Sequence, residues 1–257
     1  MIMKKCVVFS LANLKGGVGK TSIAVNLAGS LLSDNKTILL VDNDPNGNLS
    51  SQFGLEISEE SFTVEDVYVS KTTPGVFDMA AEVRPNLWVL ASSQGLSSVV
   101  SYLSSKPNRE TRLKNFLDKV LNDFDFIFID NPPSLNVLTF NSLVASHRVI
   151  IPTQLEDFSV EGVKKISETI QEIKKHFNPR LKIQGVLPNM VNDRRRISKS
   201  AREKLASFHV PVFKTSIRSS VKVPESAEMY KLVIEHAKST PVYEDISNFK
   251  DELLSSL

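Results

Sequence analysis

Short apolar runs alternate with helical patterns along the chain, and this alternation sets the expected architecture. The runs are Cys6–Ala12, Thr37–Val41, Leu87–Ala91, Phe124–Ile129, Val149–Pro152, Ile183–Leu187 and Val212–Lys214. Several are apolar almost without interruption, as strands buried on both faces of a parallel sheet must be. Helical patterns fall between and after them at Ser22–Ser33, Arg109–Leu121, Leu135–Ala145, Ser159–His176, Lys199–Phe208, Ser226–Ala237 and Val242–Leu254. The alternation predicts an α/β fold with one doubly wound, mostly parallel sheet of about seven or eight strands and helices on both faces. No repeat, low-complexity tract or linker divides the chain, so residues 1–257 are expected to form a single domain. Residues 56–85 are the least regular stretch, acidic at first and broken by Thr72-Thr73-Pro74-Gly75. They read as a surface excursion carrying one short helix.

Composition acts mainly by exclusion. A chain of 257 residues with 41% hydrophobic content can bury a large core. A net charge of +2 is too small to announce a nucleic-acid partner, so any basic footprint must be local. The single cysteine, Cys6, rules out an intrachain disulfide and suits a reducing compartment. Its place in a strand makes it an inert buried thiol. No apolar stretch reaches transmembrane length. Asn13 and Lys15 interrupt the first apolar run, so no signal peptide is expected. The chain reads as cytosolic. His147, His176, His209 and His236 are scattered without ligand spacing, and Trp88 and Phe126 read as core.

Chemistry concentrates after three of the predicted strands. The first run is followed by Lys15-Gly16-Gly17-Val18-Gly19-Lys20-Thr21, which opens into the helical pattern that contains Ser22. Strand, glycine-rich turn and helix in that order make a phosphate-binding loop. Its glycines turn consecutive N–H groups inward, and the helix N-terminus adds partial positive charge. Lys20 is expected on the β/γ-phosphates and the Thr21 hydroxyl on Mg²⁺. The second strand runs into Asp42-Asn43-Asp44-Pro45-Asn46-Gly47-Asn48. Alternation puts Asp42 and Asp44 on one side, at the strand end where open α/β sheets bind ligands. Asp-Pro-Asn-Gly is also a good turn sequence in its own right. In Phe126-Ile127-Phe128-Ile129-Asp130, an apolar strand ends in a carboxylate placed to stand beside Mg²⁺.

These motifs together resemble the ParA/Soj and MinD superfamily of partition and positioning ATPases. Its deviant phosphate loop has a second lysine, here Lys15, and this chain has Leu14 where the general motif has glycine. Asp42 to Asn48 resembles the family's Asp-x-Asp-Pro-Gln-Gly-Asn, with Asn46 in place of glutamine. Asp130-Asn131-Pro132-Pro133-Ser134 matches the family's continuation after the Walker B aspartate. The resemblance implies ATP and Mg²⁺ as ligands, held by Gly16, Gly17, Val18, Gly19, Lys20, Thr21 and Ser22. It implies that Lys15 reaches the nucleotide of the other subunit in an ATP-bound homodimer. It gives Asp44 the role of orienting the attacking water and makes Asp42 an outer Mg²⁺ partner behind Thr21 and Asp130. Asn189, in Gly185-Val186-Leu187-Pro188-Asn189, stands where the family binds adenine; a plain loop asparagine is the other reading.

Arg194, Arg195, Arg196, Lys199 and Arg202 form the densest positive run, and Lys214, Arg218 and Lys222 follow the next strand. Such a face binds phosphate backbones without reading sequence. A solvated helix start explains the run equally well from the residues alone. The resemblance favours non-specific DNA held by the ATP-bound dimer, with Arg194, Arg195, Arg196, Lys199, Arg202, Arg218 and Lys222 as the contact set. It implies hydrolysis stimulated by a ParB-like protein, nucleoid association when ATP is bound, and the short form of the family, without an extra N-terminal DNA-binding domain. Rival classes fit less well. A MinD-like membrane ATPase needs a basic amphipathic C-terminal helix, and Asn248–Leu254 is acidic and short. A nitrogenase-reductase-like electron carrier needs two cysteines per subunit. An ATPase switch that positions a protein assembly without binding DNA would share every nucleotide-site residue.

Overall fold

The computed structural model describes residues 6–154, 159–192, 205 and 210–257. Seven strands form one sheet: β1 (Val7–Leu11), β2 (Ile38–Asp42), β3 (Ala81–Arg84), β4 (Leu87–Leu90), β5 (Phe126–Asp130), β6 (Arg148–Thr153) and β7 (Lys182–Pro188). Their order is β3-β4-β2-β5-β1-β6-β7. All neighbours run parallel except the β3–β4 pair at one edge. This is the mostly parallel sheet that the apolar runs predict.

Strand periodicity divides the core between the two faces. Phe9, Leu11, Ile38, Leu40, Phe126 and Phe128 join one buried cluster. It includes Leu27 and Leu31 of α1 (Lys20–Leu32), and Ile246, Phe249 and Leu253 of α11 (Pro241–Ser255). The alternate residues Val8, Leu39, Val41, Ile127 and Ile129 join a second. There they meet α3 (Val64–Val69), α5 (Leu96–Leu103) and α6 (Arg112–Leu117). The β6–β7 end is covered by α7 (Val137–Ala145) and α8 (Ser159–His176). Val163, Ile166, Ile170 and Ile173 recur at helical spacing on α8 and place one stripe in that core.

The connection from β1 through α1 leads to β2 on one side, while β5 leads through α7 to β6 on the other. Crossovers leaving in opposite directions open a crevice at the C-terminal strand ends, where such sheets bind ligands.

Several expectations are corrected. The 56–85 excursion holds two short helices, α3 and α4 (Val76–Met79), and ends in edge strand β3. Val212–Lys214 is reduced to an isolated bridge between Val212 and Val186. A single helix over Ser226–Ala237 is instead α9 (Lys222–Glu228) and α10 (Val233–His236). Tyr230, at φ 54°, takes the left-handed backbone that ends α9. The short α2 (Asn48–Gln52) and α5 add to the expected set. Arg194, Arg195, Arg196, Lys199, Arg202 and the helix expected at 199–208 lie outside the described residues.

Candidate functional site

The loop between β1 and α1 is built around its glycines. Gly17 (φ 73°) and Gly19 (φ 85°) occupy the left-handed region. Gly19 also has no room for a side chain, since a Cβ there would lie 2.3 Å from Asn189 Nδ2. No side chain caps the N-terminus of α1, so its first N–H groups keep their positive ends for a ligand. Lys20 opens α1 and is only 7% exposed, with Nζ donating to the Asn13 carbonyl at 3.4 Å. Burial lowers its pKa, against the opposing pull of the Asp130 and then the Asp44 carboxylates.

Two carboxylates sit side by side at the ends of adjacent strands. Asp42 and Asp130 are register partners across β2 and β5, and both are buried. Asp42 Oδ2 accepts from the Ser50 N–H (2.8 Å) and the Ser50 hydroxyl (2.7 Å). Asp130 Oδ2 accepts from the Thr21 hydroxyl at 2.5 Å, while Asp130 Oδ1 is buried without a partner. Desolvation first, and the Asp42 charge second, push Asp130 up to about 7. Desolvation raises Asp42 to about 6 against the Ser50 hydrogen bonds.

An orphaned carboxylate oxygen beside a hydroxyl and a second acid is a donor set that fits a hard divalent cation. Among the described residues no group of three acidic, histidine or cysteine side chains could hold a metal ion alone. A cation here takes its remaining ligands from phosphate oxygens and water, as Mg²⁺ does at phosphoryl sites.

Asp44 is 7% exposed and follows in the turn after β2. Its Oδ1 accepts from the Asn46 N–H at 3.0 Å and its carbonyl from the Ser92 hydroxyl at 2.7 Å. Together with Gly16, Gly17, Gly19, Lys20, Thr21 and Ser22, Asp44 lines a cleft of about 640 Å³. Met190, Ala227 and Glu228 also line it. Val18 is buried, and its carbonyl accepts from Asn189 Nδ2 at 2.7 Å. Asn189 thus braces the loop from the end of β7. Lys15 does not line the cleft; its Nζ donates to Gln154 Oε1 at 3.3 Å.

Sequence reading missed the buried amides that hold these segments together. Asn43 Nδ2 donates to Asn131 Oδ1 and to the Leu138 carbonyl, both at 3.0 Å. Asn131 Nδ2 donates to the Ser10 hydroxyl and the Leu11 carbonyl, both at 2.9 Å. The buried Tyr68 hydroxyl donates to Asn43 Oδ1 at 2.7 Å. The turns carrying Asp44 and Asp130 are therefore tied to each other and to β1. An amide beside each strand-end aspartate was the available signal.

The basic residues divide. Arg218 forms a two-pronged pair with buried Asp245, Nε to Oδ2 at 2.6 Å and Nη2 to Oδ1 at 2.9 Å. Those donors tie the chain to α11, while the Arg218 side chain stays 30% exposed. Lys222 stays at the surface, 2.7 Å from Glu225.

Glycine loop, buried lysine, hydroxyl–carboxylate pair and cleft at the switch point of a parallel sheet together define a P-loop nucleotide-binding protein. The sequence matches the AAA domain family over residues 6–183. It is 36% identical over 245 residues to the sporulation initiation inhibitor protein Soj of Bacillus subtilis, covering 93% of this chain and 96% of that protein. It is 36% identical over 231 residues to the chromosome partitioning protein ParA of Caulobacter vibrioides, with 88% and 86% covered. Cobyrinic acid a,c-diamide synthase of Mycobacterium smegmatis, solved with an ATP analog and magnesium, has a similar structure. The TM-score is 0.85 at 29% identity, covering 97% of this chain and 94% of that one. The chain belongs to the ParA/Soj family of P-loop ATPases.

Proposed function

We propose that this chain is a partition ATPase that dimerises on ATP, holds DNA non-specifically in that state and releases it on hydrolysis. The observation that carries the ATPase part of this reading is the Thr21–Asp130 pair at the mouth of the glycine loop, with Asp130 Oδ1 left over. N–H groups of residues 16–19, with Lys20, hold the β- and γ-phosphates, and Ser22 completes the phosphate contacts. Thr21 and Asp130 hold Mg²⁺, with Asp42 behind them. A cation held there would supply neutralisation of the charge that develops on the transferring phosphoryl group. Asp44 orients the attacking water, and Asn189, fixed against the loop, stands beside the base. Preorganised charge around the γ-phosphate lowers the barrier.

Lys15 lies outside the cleft that its neighbours line, which is the placement a lysine serving a second subunit needs. Dimerisation couples nucleotide state to DNA affinity, because two weak basic faces act as one. Support for DNA comes from the basic run at 194–202 and from relatives named for chromosome partitioning. A ParB-like protein stimulates turnover. Among the described residues no helix is long and apolar enough to cross a membrane.

Lys15→Ala tests the dimer. The substitution is expected to leave ATP affinity intact and the protein monomeric with ATP and Mg²⁺ in light scattering. A normal ATP-dependent dimer would refute the role across the interface.

A further inference from the structure

A second cavity, of about 350 Å³, shares no lining residue with the nucleotide cleft. Its apolar part, Val67 of α3 and Phe116 of α6, belongs to the core cluster across the sheet from α1. Arg112, Asn115, Phe116 and Lys119 recur at helical spacing over α6 and the turn after it, so one face of that segment lines the cavity. Lys71, just past the end of α3, lines it as well. Three cations thus line one cavity, and no carboxylate is among the described residues that line it with them. We propose that this cavity binds the phosphate group of a small phosphorylated molecule, with Lys71, Arg112 and Lys119 as its cationic contacts.

Neighbouring charges are arranged differently. Arg109 and Lys114, on the same stretch of chain, are each neutralised by an acid close in sequence, Glu110 and Asp118. Among the described residues, Lys71, Arg112 and Lys119 have no acidic partner. A carbonyl holds Arg112 instead: its Nη1 donates to the Tyr68 carbonyl at 2.9 Å, at the C-terminal end of α3. That bond fixes the half-buried guanidinium close to the segment carrying Lys71, and it uses one of five N–H donors. Ser70, Thr73 and Asn115 add neutral hydrogen-bonding side chains to the lining. Like charges around one concavity raise its potential, and an anion that enters relieves their repulsion. Arginine and lysine beside hydroxyl and amide donors are the side chains that take phosphate oxygens. The volume is that of a small-molecule site.

Inorganic phosphate is the probe, read in backbone amide spectra of the full chain loaded with ADP and Mg²⁺ to keep phosphate off the glycine loop. Saturable shifts are expected at Ser70, Lys71, Arg112 and Lys119, and none from sodium chloride at the same ionic strength. In the Lys71→Gln/Lys119→Gln variant those shifts are expected to need at least about tenfold more phosphate, as for one lost charge-assisted hydrogen bond. Both lysines are exposed and lie outside the nucleotide cleft, so melting temperature and ADP affinity are expected to stay unchanged. The Lys71→Arg/Lys119→Arg variant is expected to bind phosphate as the unmodified protein does. Amides unmoved by phosphate would overturn the proposal, as would an equal response in the glutamine variant. A random-sequence duplex that moved these amides where phosphate did not would assign the surface to nucleic acid and overturn it too.

Discussion

Lys20→Ala is expected to abolish measurable ATP binding. The ammonium is nearly dry, held at the Asn13 carbonyl between the fields of Asp130 and Asp44. In such a place a charge-assisted hydrogen bond is worth about 1.5–3 kcal/mol. Two such bonds to phosphate amount to roughly 3–6 kcal/mol, or about 10²–10⁴-fold in affinity. The loss also removes a charge that holds Asp130 down, so a carboxyl already at about 7 moves further up. Calorimetric titration with Mg²⁺ and ATP reads the loss, and a melting curve establishes that the variant is folded. ATP affinity close to the unmodified value would remove the loop from the phosphate site.

Asp44→Ala separates binding from turnover. Asp44 lines the cleft and accepts from the Asn46 N–H, whereas Thr21 bonds Asp130, so removal of Asp44 is expected to leave the proposed phosphate and cation contacts in place. Orientation and proton acceptance by one positioned carboxylate contribute about 10²–10⁴-fold to rate. The turnover number is expected to fall by at least about a hundredfold, while ATP affinity changes by less than about threefold. The ATP-bound dimer then accumulates and is visible in light scattering. Turnover at the unmodified rate would take Asp44 out of the chemistry.

What the sequence made legible follows from which signals are local. Phe9, Leu11, Phe126 and Phe128 on one face, with Val8, Ile127 and Ile129 on the other, give strands that are apolar on both faces, and these stand out. Asp42 and Asp130 are readable because each ends such a run. Edge strand β3 carries Glu82 and Arg84, pairs on one side only and is half exposed, so no apolar run marks it. Helix α2, at five residues, is too short to show a helical period.

Partners distant in sequence were hidden for a different reason. Arg218 and Asp245 are 27 residues apart, and Asn43 and Asn131 are 88 apart. Only the folded sheet and the packing of α11 bring each pair together. The buried carboxylate that pairs with Arg218 lies outside the charge cluster that its neighbours in sequence form.

The most direct test of the central claim is binding to random-sequence duplex DNA with ATP, with ADP and without nucleotide, across a salt series. The account predicts binding with ATP alone, weakening with salt at a log–log slope of about −0.9 per phosphate neutralised. It also predicts loss of that binding in the Arg194/Arg195/Arg196 triple alanine variant. No DNA binding in any nucleotide state, with ATP-dependent dimerisation intact, would contradict the partition reading and leave a switch that acts on protein partners.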